Sequence, residues 1–262
     1  MKKPQDYAIR PCRTIAELAS CVALQKAIWG YADYEVYPLR LFVNLGHIGG
    51  HVIGAFTATG EMVGFVASMP AWRDGARYYH SLSLGVLPEH ENQGLGRALK
   101  LKQRDEALRA KISRIEWTFD PLRAKNAFFN IMRLGGVARR YSPDHYGPVE
   151  SRLQQGLPSD RLVCEWWLSH PRVRRALRGL PPRPASKTPM AEVVLDFQSL
   201  AESRPEEARA LQAALRGKLQ RHFARGLVVT DVVREEKCAR YVLDRLEDVL
   251  RSELGLSYSY KV

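Results

Sequence analysis

The sequence predicts an α/β (α+β) protein, with a mixed, mostly antiparallel central sheet flanked by helices and a C-terminal strand–helix–strand–strand extension. Three observations predict it. Residues 78–86 are rich in aromatic and aliphatic side chains, as a buried strand is, and Pro88 ends the run because proline cannot donate to a ladder. Gly94 and Gly96 then open a segment where Leu95, Ala98, Leu101 and Leu108 recur at helical spacing. Upstream, residues 51–57, 62–68 and 76–86 follow one another across the turn signals Ala58-Thr59-Gly60-Glu61 and Pro70-Ala71-Trp72-Arg73-Asp74-Gly75, a pattern for antiparallel strands.

Taken in order, Tyr7-Ala8-Ile9-Arg10 reads as a short first strand. Thr14 and Glu17 form a capping box ahead of residues 15–29, where Leu18, Cys21, Val22, Leu24, Gln25 and Ile28 make a helical stripe that Gly30 ends. Trp29, Tyr31, Tyr34 and Tyr37 follow in a loop closed by Pro38, and residues 39–45 suit a second short helix. That aromatic group either lines a pocket or packs beneath the loop. After the three strands and the helix over residues 94–110 come a strand at 115–119, ended by Asp120-Pro121, and a helix at 124–134, stopped by Gly135-Gly136. Arg139-Arg140-Tyr141 and residues 161–168 are the last two strands of a first domain spanning residues 1–169.

Residues 170–190 change character. Arg172, Arg174, Arg175, Arg178 and Arg183 are interleaved with Pro171, Pro181, Pro182, Pro184 and Pro189, which reads as a basic, proline-broken linker with one short helix near residues 173–178. Such a stretch either contacts an anion or is a solvated linker. The extension, residues 191–262, starts with a strand at 191–195. Ser203 is then expected to cap a helix with Pro205 in its first turn and Leu211, Leu215, Leu219, His222 and Phe223 on its apolar stripe. Strands at 227–233 and 240–243 complete a unit that leaves one sheet face uncovered and should therefore pack on the first domain.

The 262 residues can bury a sizeable core, and a content of 45% hydrophobic and 26% charged residues is that of a globular protein. No apolar run approaches a membrane span, and Met1-Lys2-Lys3 leads into polar residues, so the cytoplasm is the expected setting. Cys12, Cys21, Cys164 and Cys238 are scattered, which predicts reduced thiols and no metal site. The formal charge of +12 favours capture of a polyanion. An arginine-rich solvated surface is the reading preferred here, with a nucleic-acid partner kept as the alternative.

A helix reached through glycines presents its first amides and its positive dipole end to one point, which makes an anion site, and phosphate is the usual anion. The spacing is neither Gly-x-Gly-x-x-Gly nor a P-loop. The stretch resembles motif A of the GNAT superfamily of acyl-CoA-dependent N-acyltransferases. Val86-x-Pro88 and Gly94-x-Gly96 match its pattern, whereas Glu91 stands where the family has Arg or Gln. The resemblance covers about residues 6–169 and implies the GNAT fold, with acetyl-CoA or another acyl-CoA as co-substrate and no metal. It implies that Asn92, Gln93, Gly94, Leu95, Gly96 and Arg97 hold the pyrophosphate, and that the pantetheine arm adds itself to strands 81–86 and 115–119 where they splay. Leu84, Gly85 and Val86 would then supply the backbone donor for the oxyanion, and Asn126 would contact the cofactor. Leu195-Asp196-Phe197 and residues 223–231 are similar to the C-terminal segment of a longer GNAT subgroup, some members of which are linked with N-acylamino-acid metabolism.

Amide formation from a thioester needs a base that frees the amine and a donor for the oxyanion. Aligning Leu134-Gly135 with the family's Leu-Gly puts Ile131 where the usual tyrosine acid stands, with Asn126 and Asn130 nearby. For the base, His80 lies six residues before Val86 and is expected on the same strand face. It is otherwise a hydrogen-bonded core histidine. Asp120, ending the next strand, has a comparable claim, and Glu116 and Glu89 have weaker ones. The expected acceptor is a primary amine on a small molecule, an amino acid being within the class and N-acetylation or N-succinylation within the chemistry. A non-catalytic acyl-CoA sensor, or an enzyme acting on ribosomal or nucleic-acid-associated protein, are the alternatives. The sequence leaves the oligomeric state open; a dimer is compatible with it.

Overall fold

A computed structural model of the chain describes residues 6–147, 156–180 and 190–252. The chain divides into two compact units, the first running to Trp117 and the second taking over at Thr118.

The first unit begins with β1 (Ala8–Pro11), α1 (Ile15–Trp29) and α2 (Leu39–His47). It continues with β2 (His51–Phe56), β3 (Met62–Arg73), β4 (Ala76–Val86), α3 (Leu95–Arg109) and β5 (Arg114–Phe119), whose last residues enter the second unit. The strands lie in the order β1-β2-β3-β4-β5, antiparallel except for the parallel β4–β5 pair. The six residues Met62-Val63-Gly64-Phe65-Val66-Ala67 are all buried, because this central strand is covered on both faces. One face packs Phe65 and Ala67 with Cys21, Leu24, Phe42 and Leu45 of α1 and α2. The other packs Val63 and Val66 with Leu95 and Leu99 of α3.

Helix α1 starts as its sequence predicts. The Glu17 N–H donates to Thr14 Oγ1 at 3.2 Å. The Glu17 carboxylate accepts from the Arg13 N–H and the Arg10 guanidinium, each at 2.6 Å. The Arg10 bond is the largest influence holding that carboxyl at about 2. Gly30 closes the helix in the left-handed region, its N–H bonding Lys26 O.

In the second unit, α4 (Ala124–Phe128) runs into a π turn (Phe129–Arg133). β6 (Val137–Ser142), β7 (Arg161–Trp167), α5 (Pro171–Leu177), β8 (Met190–Val194) and α6 (Phe197–Ser203) follow. α7 (Pro205–Phe223), β9 (Leu227–Arg234), β10 (Cys238–Arg245) and α8 (Leu246–Ser252) complete it. Its strands lie in the order β7-β6-β9-β10-β8, all antiparallel, with Ala138 of β6 opposite Val229 of β9.

Two local expectations change, and helix α6 stands in a stretch to which the sequence assigned no element. At seven residues it is too short to show a helical period, and Asp196 caps it by accepting from the Ser199 N–H at 3.3 Å. Ser203 therefore ends α6 instead of capping α7, whose N-cap, Arg204, makes no side-chain capping bond. Residues 124–134 are not one helix. The chain widens to a π turn in which the Leu134 N–H reaches Phe129 O at 3.0 Å.

The stretch read as a solvated linker starts with α5, while residues 181–189 lie outside the described residues. Arg172 of α5 is 3% exposed, and its guanidinium donates to Gly135 O at 3.1 Å, to Ile131 O and to Thr230 O. It satisfies carbonyls of the π turn, of the glycine turn after it and of β9 together. Arg172→Met should leave those carbonyls without donors and cost about 3 kcal/mol, read as a lower urea midpoint at unchanged m. An unchanged midpoint would show that water replaces the guanidinium.

Candidate active site

Strands β4 and β5 pair at only two rungs, Tyr79 opposite Ile115 and His80 opposite Glu116. From Ser81 to Val86, β4 stays paired with β3, and no described strand pairs with its other edge. Unpaired backbone groups along such an edge can accept an extended, amide-bearing chain as an added strand. Within this stretch β4 carries a bulge. Ser81 is opposite Ser68 and Ser83 is opposite Ala67, so Leu82 is the extra residue.

The bulge overturns one expectation. Spacing alone put His80 on the same strand face as Val86. Val86 is opposite Gly64 and His80 opposite Met69. Gly64 and Met69 are an odd number of residues apart in a regular part of β3, so they point to opposite faces. His80, half-buried, therefore lies on the α1 and α2 face with Met69 and Leu82, whereas Leu84 and Val86 face α3. Gly85 returns to the α1 face. A Cβ there would meet Ile28 Cδ1 at 2.8 Å and the Trp29 ring at 2.9 Å, so only glycine lets that helix end approach. Trp29 also stacks on Tyr31, with ring centroids 5.4 Å apart, and meets Phe65 edge-on. Tyr34 is 73% exposed, so the aromatic group divides between packing and surface.

Beyond β4, one 3₁₀ turn at Pro88–His90 leads to Asn92 and Gly94, both with positive φ, and α3 starts at Leu95. Gly94 has no side chain to cap the helix, and the Ala98 N–H is the first to reach back, to Gly94 O at 3.0 Å. The helix therefore starts with its first amides and the positive end of its dipole directed into the loop. A Cβ on Gly96 would meet nothing within 4 Å. The protein's own packing leaves that space open. Gln93 and Arg97 are half-buried at the mouth of the turn, while Asn92 and Glu91 are exposed. Tyr7 fixes the turn from below, its hydroxyl bonding His90 Nδ1 at 2.8 Å and Gln93 Oε1 at 3.0 Å.

The acidic candidates separate. Glu116 is 1% exposed and lies 2.7 Å from Arg73 Nη1 and 3.1 Å from Arg114 Nε. A guanidinium at each of its oxygens suits a structural carboxylate better than a base. Glu89 is exposed on the 3₁₀ turn. In the second unit, Asp120 accepts from the Leu122 N–H at 2.8 Å and has Arg123 Nε at 3.6 Å. Burial outweighs both and raises its pKa above the ordinary carboxylate value. Asn126 is exposed on α4, Asn130 is buried, and Ile131 is fully buried in the π turn, where it has no proton to give.

The sequence reading missed the polar chemistry beneath β4. His51 buries Nε2 with no hydrogen-bond partner and meets Tyr79 edge-on at 4.9 Å. Burial pushes its pKa down to about 4. A folded-state pKa below the ordinary 6.5 means that the unfolded chain binds the proton more readily. Stability is then complete above pH 6.5 and falls as pH drops towards 4. His51→Phe keeps the ring and should flatten that fall in a series of melting temperatures. An unchanged slope would place the acid sensitivity elsewhere.

Among the described residues no group of three or more His, Cys, Asp or Glu is gathered as a metal ion would need, and no helix is long and apolar enough to cross a membrane.

Residues 18–132 match the family model of the acetyltransferase (GNAT) family. Among solved structures, the chain is similar to one assigned to the GNAT acetyltransferases from Desulfovibrio desulfuricans. That likeness has 16% identity, covers 62% of this chain and 99% of that one, and has a TM-score of 0.51. The spermidine/spermine N-acetyltransferase SpeG of Vibrio cholerae, in mutant form, has 16% identity, 63% and 95% coverage and a TM-score of 0.50. The yncA protein of Salmonella typhimurium, solved with its cofactor acetyl-CoA, has 20% identity, 63% and 95% coverage and a TM-score of 0.47. No curated protein matches the chain.

Proposed function

We propose that the protein, whose residues 18–132 match the acetyltransferase (GNAT) family model, transfers an acyl group, acetyl first among them, from coenzyme A to a primary amine of a small molecule, with amino acids within the class. The observation that carries the reading is one continuous arrangement. Beyond His80 no described strand pairs with the outer edge of β4, which is bulged at Leu82 and leads into a helix whose first amides face the loop.

In this reading the amides of Leu95, Gly96 and Arg97 hold the pyrophosphate, with Asn92 and Gln93 at the rim. The pantetheine amides pair with β4, and backbone N–H groups near Leu84, Gly85 and Val86 face the carbonyl oxygen that becomes the oxyanion. Asn126 is a further cofactor contact. His80 or Asp120 removes the ammonium proton so that the free amine attacks the thioester carbon. The thiolate then leaves without an acid from Ile131, as a thiol with a pKa near 8.5 can. The cytoplasm, where free coenzyme A and amines meet, is the setting we propose.

A thiol-release screen of acetyl-, propionyl- and succinyl-CoA against amino-acid, polyamine and peptide pools tests the reading. Release with one acyl-CoA and one small-amine pool is the expected result. Binding without release from any pool would make the protein an acyl-CoA sensor. Release confined to basic peptides, with RNA binding that falls steeply with salt, would favour the alternative suggested by the charge of +12.

A further inference from the structure

Lys100 is the most unusual side chain of the first unit. It lies on α3, is 1% exposed and ranks among the largest fully buried side chains. Its ammonium carries three donors. It donates to Ser81 Oγ at 3.0 Å and to Gln103 Oε1 at 2.9 Å, and it lies 3.7 Å from the centroid of the Trp117 ring. Gln103, also fully buried, turns its Nε2 to Ser81 Oγ at 2.9 Å and to Ser68 Oγ at 2.6 Å. The last rung between β4 and β5 is His80 opposite Glu116. Ser81 and Trp117 are the next residue on each strand. One amine therefore holds the first residue past the last rung on both arms of the fork.

We propose that Lys100 is a positioning residue that braces this fork, acting through Ser81 on one arm and Trp117 on the other. The inference rests on the acyl-CoA reading, because it assigns the fork to the pantetheine arm. A methionine would fill the same space without the desolvation cost that a buried ammonium carries, so the charge needs a local purpose. The geometry supplies one. Ser81 pairs with Ser68 immediately before the bulge residue Leu82. Lys100 and Gln103 together hold Ser81 to the α3 face, which fixes where the extra residue enters. Loss of the bulge would slip the pairing beyond it by one residue and reverse which of residues 83–86 turn their N–H groups towards the open edge. On the other arm, the ring of Trp117 laid over the same ammonium keeps β5 from closing on β4. Lys100 thus acts through backbone register, without touching substrate.

The test is calorimetric binding of coenzyme A and, separately, of its nucleotide half, 3′-phosphoadenosine 5′-diphosphate, to wild type, Lys100→Met and Ser81→Ala. Ser81→Ala is the milder change if Lys100→Met folds poorly. Misplacing the fork should weaken whole coenzyme A about tenfold or more in Lys100→Met, and less in Ser81→Ala. Affinity for the nucleotide half, which meets only the glycine turn, should stay within about twofold of wild type. Equal loss for both ligands, or no loss for either, overturns the brace while leaving the acyl-CoA reading intact. A wild-type protein that binds neither ligand overturns that reading, and this inference with it.

Discussion

Gly96→Asp should leave the fold unchanged and lower coenzyme A affinity by about 10²-fold or more, through lost amide contacts and a carboxylate set against phosphate. The fold should survive because a Cβ at that position meets nothing within 4 Å. Gly94→Asp should do the same to binding at some cost in stability, since Gly94 has a φ of 82°. Aspartate tolerates the left-handed region better than most residues, so that cost should be about 1 kcal/mol. Gly96→Ala separates size from charge, and a small effect is expected from it alone. Both aspartate variants, folded and binding coenzyme A like wild type in a calorimeter, would remove the glycine turn from the cofactor site.

Replacing the true base should lower kcat at pH 7 by about 10²–10⁴-fold, with most of the loss recovered at pH 9, where free amine forms without help. His80→Gln and Asp120→Asn preserve size and hydrogen bonding while removing basicity. Coenzyme A affinity should stay near wild type in both, because the pyrophosphate is held by the glycine turn. The raised pKa of Asp120 gives a second signature. If Asp120 is the base, kcat rises with pH through a limb above the ordinary carboxylate range, and Asp120→Asn abolishes that limb. His80 makes its claim from a different face of β4 than spacing suggested, since the Leu82 bulge turns it towards α1 and α2. Near-normal kcat in both variants at both pH values would assign proton removal to a water chain.

What the sequence made legible was what local rules decide. Pro88 had to end β4, Gly94 had to take a positive φ, and the Thr14–Glu17 pair had to start α1. Each depends on the residue and its near neighbours alone. The bulge at Leu82 was not legible, because it exists only in the pairing of β4 with β3 and no glycine or proline stands next to Leu82 or its partners Ala67 and Ser68 to mark it. Lys100 was hidden for a related reason. A lysine in a helix reads as solvated, and its burial becomes intelligible once Ser81 of β4 and Trp117 of β5 join Gln103 of its own helix around the ammonium. The π turn at Phe129–Arg133 left no trace because one i→i+5 bond hardly disturbs a helical period. Arg172 looked like linker charge until its carbonyl partners, from residues far apart in the chain, were assembled around it.

The most direct measurement of the central claim follows the acyl group itself. The protein is incubated with acetyl-CoA labelled isotopically in the acetyl carbons and with an amine pool, and products are read by mass spectrometry. The account predicts label in an N-acetylated small amine, matched by an equal amount of free coenzyme A thiol and absent when Gly96→Asp replaces wild type. Tight binding of acetyl-CoA with no label leaving the thioester, across amino acids, polyamines and peptides, would contradict it.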